Sequence, residues 1–234
     1  MIDFNQYKAI TFDCYGTLID WETGILTAIK PLLINHNINL DDNEILEYFA
    51  EFESELEQGE YIQYREVLNR VVQKFGEKFA FTPTDIEINS LADSIQYWQP
   101  FADTVAALKL LQQRSQLVII SNVDDDLFAF SAKKLEVEFN QIITAQQVKS
   151  YKPSLNNFRQ AIASINLPTE QILHVAASVY HDIIPAKSLG LSTVWVNRRY
   201  GQQGSGATIP SRGEPDLEVP DLKTLASGLS NSFS

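Results

Sequence analysis

Short apolar runs alternate with helical patterns along most of this chain, and that alternation limits the folds open to it. The runs occupy residues 9–12, 117–120, 142–145, 172–176 and 193–196, and helical patterns separate them at 103–113, 155–165 and 183–189. Strands that alternate with helices pack as a parallel sheet covered on both faces. We therefore predict an α/β fold whose core is a doubly wound parallel sheet.

A second pattern interrupts the first one just after the opening strand. Between residues 21 and 98, apolar residues recur at helical spacing, as at Ile45, Phe49 and Phe52. This pattern predicts an all-helical unit of about four helices. The predicted domains are an α/β core of residues 1–18 and 99–234 and an inserted helical cap domain of residues 19–98, called the insertion below.

Local signals predict where two helices of the insertion start and where the chain is irregular. Asp41 followed by Glu44 is typical of a helix N-terminus, and Thr82 before a proline predicts a second one. Residues 201–215 are rich in Gly and Pro and predict a loop. The polar residues 227–234 are expected to be frayed.

Negative charge is concentrated in the insertion. The chain has 18 Lys and Arg against 30 Asp and Glu, a formal net charge of -12. Residues 19–99 hold 16 acidic and 5 basic residues, so the rest of the chain is close to neutral. An acidic chain lacks the basic surface that binds nucleic acid or anionic membranes. Because acidic side chains repel a small anionic substrate, we expect most carboxylates of the insertion to face solvent.

The sequence also predicts a cytoplasmic protein. Its one cysteine, Cys14, excludes an intramolecular disulfide framework, and no apolar run reaches the roughly 20 residues of a membrane span. The first ten residues lack the pattern of a secretory signal. Both a monomer and a homodimer are compatible with these features.

Polar side chains follow four of the predicted strands. Asp13 follows the first strand, Ser121 and Asn122 follow the second, Lys152 lies after the third, and Asp182 lies after the fourth. Each has an ordinary interpretation when taken alone, as a turn residue, a helix cap or a surface lysine. Ligands of parallel sheets bind beyond the carboxyl ends of the strands. Together these residues predict a functional site at one edge of the sheet.

These segments resemble the motifs of a known family. The run DCYGTL, a serine after the second strand, a lysine before a proline and an aspartate after the fourth strand are similar to the four motifs of the haloacid dehalogenase (HAD) superfamily. The resemblance covers nearly the whole chain, and the insertion corresponds to the helical cap of that superfamily. It implies that Asp13 is a nucleophile that forms a covalent ester or acyl phosphate.

The superfamily contains Mg²⁺-dependent phosphatases and metal-free 2-haloacid dehalogenases. Phosphatases carry a second aspartate two residues after the nucleophile to protonate the departing alkoxide, and Tyr15 stands there. Where they have a Gly-Asp pair that supports Mg²⁺, this chain has Ala176 and Ala177. The chain therefore resembles the L-2-haloacid dehalogenases most closely, and no cofactor is expected. The alternative is Mg²⁺ held by Asp13, the carbonyl of Tyr15 and Asp182.

The resemblance assigns a role to each candidate residue. Asp13 would displace a halide from a small anionic 2-haloacid, Lys152 would lower the pKa of Asp13, and Asp182 would orient Lys152 or activate water. Three polar candidates would hydrogen-bond the nucleophile and the substrate: Thr17, Ser121 and Asn122. Three aromatic candidates would form the apolar side of the pocket: Tyr15, Trp21 and Tyr64.

The chain departs from the dehalogenase pattern in three places. Residues 47–58 lack the arginine that helps to hold the halide, Phe158 stands in place of a tyrosine, and Ser178 alone corresponds to a Ser and Asn near the fourth motif. Arg65 could replace the missing arginine as a substrate-binding residue, or it could be an exposed arginine paired with Glu66 or a neighbouring Glu.

Two other functions therefore stay open: a Mg²⁺-dependent phosphatase of small esters, and a binding protein of the HAD fold without turnover. Other candidates have simpler interpretations. Residues 124–126, three aspartates, are expected to form a solvated, acidic first turn of a helix. The histidines share no ligand spacing with Cys14, so the sequence does not predict a zinc site.

Overall fold

The computed structural model describes residues 4–231 and contains the predicted parallel sheet. Its six strands run in the order β3-β2-β1-β4-β5-β6, and every neighbouring pair is parallel. The strands are β1 (Ala9–Phe12), β2 (Gln116–Ser121), β3 (Gln141–Thr144), β4 (Ile172–Ala176), β5 (Ser192–Val196) and β6 (Leu217–Val219). The order winds outward in both directions from β1, which confirms the doubly wound α/β prediction.

Helices cover both faces of the sheet. Side chains alternate along β1, so that Ile10 and Phe12 pack on one face while Ala9 packs on the other with Phe158. The helices outside the insertion are α5 (Thr104–Leu111), α6 (Asp125–Leu135), α7 (Ala145–Val148), α8 (Leu155–Ile165), α9 (Ile184–Ser188) and α10 (Leu222–Asn231). Residues 227–231 form the end of α10, where fraying stays a prediction, and residues 232–234 lie outside the described residues.

The insertion contains four α-helices between β1 and β2, as predicted. They are α1 (Trp21–Asn35), α2 (Asp42–Glu57), α3 (Tyr64–Phe79) and α4 (Asp85–Ser94). Asp41 and Glu44 form a reciprocal capping box at the start of α2. The expectation that Thr82 caps a helix is wrong, because Thr84 and Glu87 form the capping box of α4.

The chain enters and leaves the insertion at one place. Ile19 forms a β-bridge with Pro100, and the amide of Phe101 donates to the carbonyl of Leu18. This paired crossing lies where the sequence predicts the boundaries between the core and the insertion. The division into two domains stays a prediction.

Asp124 links the core to the insertion instead of facing solvent. It is 2% exposed, and its carboxylate accepts hydrogen bonds from the amides of Tyr64 (3.0 Å) and Arg65 (2.9 Å) at the start of α3. The expectation of a solvated aspartate is wrong for this position because a core carboxylate satisfies the free amides of a helix in the insertion. Among residues 4–231, no helix combines the length and apolar character needed to cross a membrane.

Candidate active site

The carboxyl ends of the central strands gather four of the predicted site residues. Asp13 follows β1 directly, and its amide donates to Val175 on β4 (3.2 Å), which holds the residue at the edge of the sheet. Ser121 is the last residue of β2, Lys152 follows α7, and Asp182 lies in a turn of π-helix after β4. This placement follows from the parallel sheet, since all its strands end at the same edge.

Lys152 lies at the centre of the site and is almost completely buried. Its Nζ donates to Asp13 Oδ1 (2.9 Å), to Asp182 Oδ1 (2.7 Å) and to the carbonyl of Ile120 (3.0 Å). Burial alone would lower the pKa of the ammonium, but the two carboxylates outweigh it and raise that pKa above its usual value. Lys152 therefore stays protonated and fixes the positions of both carboxylates.

Asp13 has its second oxygen fixed as well. Thr17 donates its hydroxyl to Asp13 Oδ2 (2.7 Å), and the amide of Ala177 donates to the hydroxyl oxygen of Thr17 (2.8 Å). Burial and the charge of Asp182 raise the pKa of Asp13 by more than Lys152 and Thr17 lower it, so its pKa lies above the usual value. Lys152 lowers the pKa of Asp13, as expected, but its ammonium does not offset the burial of the carboxylate. A desolvated and more basic carboxylate is a stronger nucleophile.

His174 belongs to the site although the sequence analysis assigned it no role. Its Nε2 donates to Asp182 Oδ1 (3.0 Å), and its Nδ1 hydrogen-bonds the hydroxyl of Thr11 (2.8 Å). Burial raises the pKa of Asp182, but Lys152 and His174 outweigh it and hold that pKa below its usual value. The alternation of β4 could have revealed this residue, since His174 is a polar residue inside a strand that is otherwise apolar.

Ser121 and Asn122 have different environments in the site. The hydroxyl of Ser121 is completely buried and has no hydrogen-bond partner within the described chain. Asn122 holds the backbone of Lys152 on both sides, because its Oδ1 accepts from the Lys152 amide (2.7 Å) and its Nδ2 donates to the Lys152 carbonyl (3.0 Å). Asn122 thus positions the lysine.

Other predicted residues lie at the margin of the site or away from it. Tyr15 hydrogen-bonds Ser131 (3.0 Å), and Ser178 caps the π-helical turn by accepting from the amide of His181 (3.0 Å). Both residues nevertheless line the cavity beside Asp13. Phe158 is completely buried under the sheet, with its ring edge-on to His174.

The structure does not bring Arg65 to the site. Its guanidinium pairs with Asp93 (3.1 Å) and with Asp126 (3.0 Å) on α6, and its side chain is partly exposed. The physical reason is that Arg65 follows Tyr64, which points into the cavity, and adjacent residues of a helix face different directions. Arg65 therefore connects α3 to the core and does not line the cavity beside Asp13.

A small cavity of about 40 Å³ lies over Asp13 and Lys152. Trp21 and Tyr64 form part of its wall, in agreement with the expected aromatic lining. It shares four lining residues with a larger adjoining cleft, which gives it a route to solvent: Tyr15, Trp21, Ser178 and Thr208.

Most carboxylates of the insertion are exposed, as expected, but two of them line this cavity. Glu53 is 4% exposed and accepts from the hydroxyl of Tyr64 (2.5 Å), and Glu57 is partly buried and accepts from Asn122 Nδ2 (3.2 Å). A sequence signal exists: residues 45, 49, 53 and 57 lie four apart, so both glutamates continue the buried stripe of Ile45 and Phe49 along α2.

Both glutamates have strongly perturbed acidity. Burial raises the pKa of Glu53 to about 8, against a lowering by Tyr64, with a further rise from the charge of Asp13. Burial and the charge of Glu53 raise the pKa of Glu57 well above its usual value. Perturbed carboxyls inside a cavity are a feature of functional sites.

The residues present do not fit Mg²⁺. An ammonium already lies between the two carboxylates that would hold the ion, since Asp13 Oδ1 and Asp182 Oδ1 both accept from Lys152 Nζ. Over residues 4–231, no group of three His, Cys, Asp or Glu side chains could bind a metal ion.

Comparison with known proteins agrees with this geometry. A family model for haloacid dehalogenase-like hydrolases matches residues 7–190. The (S)-2-haloacid dehalogenases of Pseudomonas putida and Pseudomonas fluorescens are each 25% identical to this chain, and each alignment covers 97% of this chain and 98% of the relative.

Solved structures share the fold. The L-2-haloacid dehalogenase from Xanthobacter autotrophicus with covalently bound chloropropionic acid superposes with a TM-score of 0.79 at 17% identity, covering 97% of this chain and 100% of that one. A magnesium-bound HAD hydrolase from Bacillus subtilis superposes with a TM-score of 0.78 at 19% identity, covering 96% and 99%. At these identities the superpositions show a common fold.

Proposed function

This chain belongs to the haloacid dehalogenase-like hydrolases, and from that membership we propose that it hydrolyses the carbon–halogen bond of a small 2-haloacid through an ester on Asp13. The (S)-2-haloacid dehalogenases that align over almost its full length support this choice of reaction. The proposed chemistry needs no metal, which agrees with the occupation of the carboxylate pair by Lys152.

The proposed reaction has two steps. An oxygen of Asp13 attacks the halogen-bearing carbon, a carbon–oxygen bond forms, and the halide leaves with the bonding electron pair. Water then attacks the carbonyl carbon of the Asp13 ester, which releases a 2-hydroxyacid and a proton and regenerates the carboxylate. Lys152 and Thr17 hold the two oxygens of Asp13 in place, and Asp182 is held by Lys152 and His174 where it can orient the water.

One observation favours loss of a halide over loss of an alkoxide. An alkoxide needs a proton donor, which the phosphatases of this superfamily carry two residues after the nucleophile. Here Tyr15 stands at that position with its hydroxyl bonded to Ser131. Burial and the neighbouring charges raise the pKa of Tyr15 well above its usual value, so it holds its proton too tightly for this role. A halide leaves without a proton and needs no such group.

Chloride release from (S)-2-chloropropionate in the presence of EDTA tests the proposal. We expect turnover by the wild type, and for Asp13→Asn a loss of at least about 10³-fold, as is typical of removing a nucleophile. In a single turnover in H₂¹⁸O, mass spectrometry should find the label on Asp13. Asp85→Asn, an exposed aspartate of α4, is the control and should keep full activity. The proposal would be refuted if no chloride were released at high enzyme concentration. It would also be refuted if the enzyme turned over only phosphate esters, and only with Mg²⁺.

A further inference from the structure

The charges that line the cavity are unusual for a site that accepts a plain carboxylate. Four carboxyl side chains line it, Asp13, Asp182, Glu53 and Glu57, against a single ammonium. That ammonium, on Lys152, is already bonded to Asp13 and Asp182. The lining residues therefore offer no uncommitted cation to the carboxylate of a 2-haloacid.

Glu53 and Glu57 have neutral hydrogen-bond donors. The ammonium of Lys152 lowers the pKa of Glu57 without forming an ion pair with it, and that ammonium is bonded to the two aspartates. Tyr64 donates to Glu53 and Asn122 donates to Glu57, and within residues 4–231 neither glutamate forms an ion pair. Removing a carboxylate from water without a cation is costly, which is why buried carboxylates are usually paired. The two glutamates avoid that cost through their raised pKa values, and a cationic group brought in by a ligand would let both ionise.

The hydroxyl of Ser121 independently indicates a ligand at this place. It lines the same cavity, it is completely buried, and no group of the described chain hydrogen-bonds it. Buried hydroxyls are nearly always bonded, so this one is available to a ligand. A hydroxyl can donate to a carboxyl oxygen of the substrate while the glutamates hold another part of it.

We propose that the substrate carries a protonated amine in addition to its halogen-bearing carbon, and that Glu53 and Glu57 bind this amine. The substrate class is then a small amino-substituted 2-haloacid, whose carboxylate accepts from Ser121 and whose carbon faces Asp13. The inference rests on the proposed function for the reaction, but the binding of the amine can be tested apart from it.

The direction of the pH dependence separates this substrate from a plain haloacid. The pKa of Glu53 lies at about 8 and that of Glu57 is also raised, so an amine that needs both carboxylates ionised should bind more tightly as the pH rises towards 8. A plain carboxylate should bind more weakly over the same range, because it gains like-charged neighbours. Other titratable groups face these glutamates or share the cavity with them: Asp13, Tyr64, Tyr151, Lys152, His181 and Asp182.

Equilibrium binding of two unreactive probes tests the amine site. β-Alanine and propionate differ only by the ammonium group, and calorimetry at pH 6 and pH 8 measures both. We expect β-alanine to bind at least tenfold more tightly than propionate at pH 8, with a smaller preference at pH 6. Glu57→Gln should remove the preference, whereas Glu51→Gln, the same change at an exposed position of α2, should keep it. Equal binding of the two probes, or a preference that survives Glu57→Gln in a folded variant, would overturn the inference.

Turnover separates failure of this inference from failure of the proposed function. We expect kcat/KM for chloride release to be at least tenfold higher for 3-amino-2-chloropropionate than for 2-chloropropionate. Chloride release from both compounds without preference would refute the amine site and leave the dehalogenase proposal intact. A preference for β-alanine without chloride release from either compound would support the amine site and refute the dehalogenase proposal.

Discussion

Lys152 illustrates how one buried cation can control both the stability and the chemistry of a site. It is 1% exposed and offsets the charges of Asp13 and Asp182. Removing one partner of a buried ion pair leaves an uncompensated charge in a medium that solvates it poorly. Loss of the lysine should therefore affect stability in a way that depends on the charge state of the two aspartates.

We expect Lys152→Met to lower the free energy of unfolding by about 3–5 kcal/mol at pH 8. The loss should be smaller at pH 5, because protonation of Asp13 relieves the unpaired charge. Urea denaturation at both pH values measures it. Lys149→Met removes an exposed lysine three residues away and should change stability little. An equal loss at both pH values would show that the variant acts through packing and not through charge.

A second residue, Glu53, should make the wild type less stable as the pH rises. Its pKa is about 8 in the folded protein and near 4.5 when unfolded, so between these values the folded state binds more protons. The contribution of Glu53 to stability is therefore complete below pH 4.5 and is lost as the pH rises through 8.

The matching test compares pH–stability curves. From pH 5 to pH 8, Glu53→Gln should gain up to about 4 kcal/mol relative to the wild type, because glutamine carries no charge to bury. Chemical denaturation across this range measures the difference. The pH–stability curve of Glu51→Gln should run parallel to that of the wild type. A parallel curve for Glu53→Gln would show that the Glu53 carboxyl titrates normally and would contradict the prediction.

Residues at strand ends could be predicted from the sequence, whereas the glutamates could not be placed. Asp13, Lys152 and Asp182 follow segments whose parallel pairing brings their ends together, so their proximity requires only the fold class. The orientation of Glu53 and Glu57 depends on how α2 packs over the sheet, which no local pattern specifies. Their negative charge also suggested an exposed position, although the i, i+4 stripe predicts a buried one.

At the scale of single elements, the predicted strands and helices were found where the apolar pattern was long enough. The sequence does not predict the short edge strand Leu217–Val219. Three residues next to a Gly- and Pro-rich loop are too few to form a recognisable apolar run. Ala145 was assigned to a strand but begins α7, because Thr144 caps the helix there. Element ends depend on capping side chains, and several candidates within a few residues compete for that role.

The start of α4 allows a direct test of such a competition. Thr84 accepts from the Glu87 amide (3.3 Å), while Thr82 lies two residues before the cap. Thr84→Ala should lower the free energy of unfolding by about 1 kcal/mol, because the amide loses its acceptor. Thr82→Ala is the matched control and should have an effect within about 0.5 kcal/mol. Thermal unfolding of the two variants measures the difference, and the reverse ranking would contradict the assigned cap.

At the scale of the whole molecule, the insertion is attached to the core by more than its two chain crossings. Asp124 caps α3 from the core, and Arg65 on α3 pairs with Asp126 on α6. Tyr64, whose amide Asp124 binds, places its hydroxyl on Glu53 in the cavity. The contact that joins the two parts is therefore continuous with the wall of the proposed amine site.

Asp124→Ala should loosen this attachment without disturbing the sheet. Loss of the hydrogen bonds to Tyr64 and Arg65 leaves two helix amides without acceptors, which should cost about 1–3 kcal/mol. Hydrogen exchange should become faster at the amides that begin α3 and unchanged in β1 and β4, because Asp124 bonds only the former. Asp125→Ala is the control, since Asp125 accepts from Thr144 and Gln147 within the core. If both variants altered exchange in the same helices, Asp124 would contribute to general stability and not specifically to the attachment of the insertion.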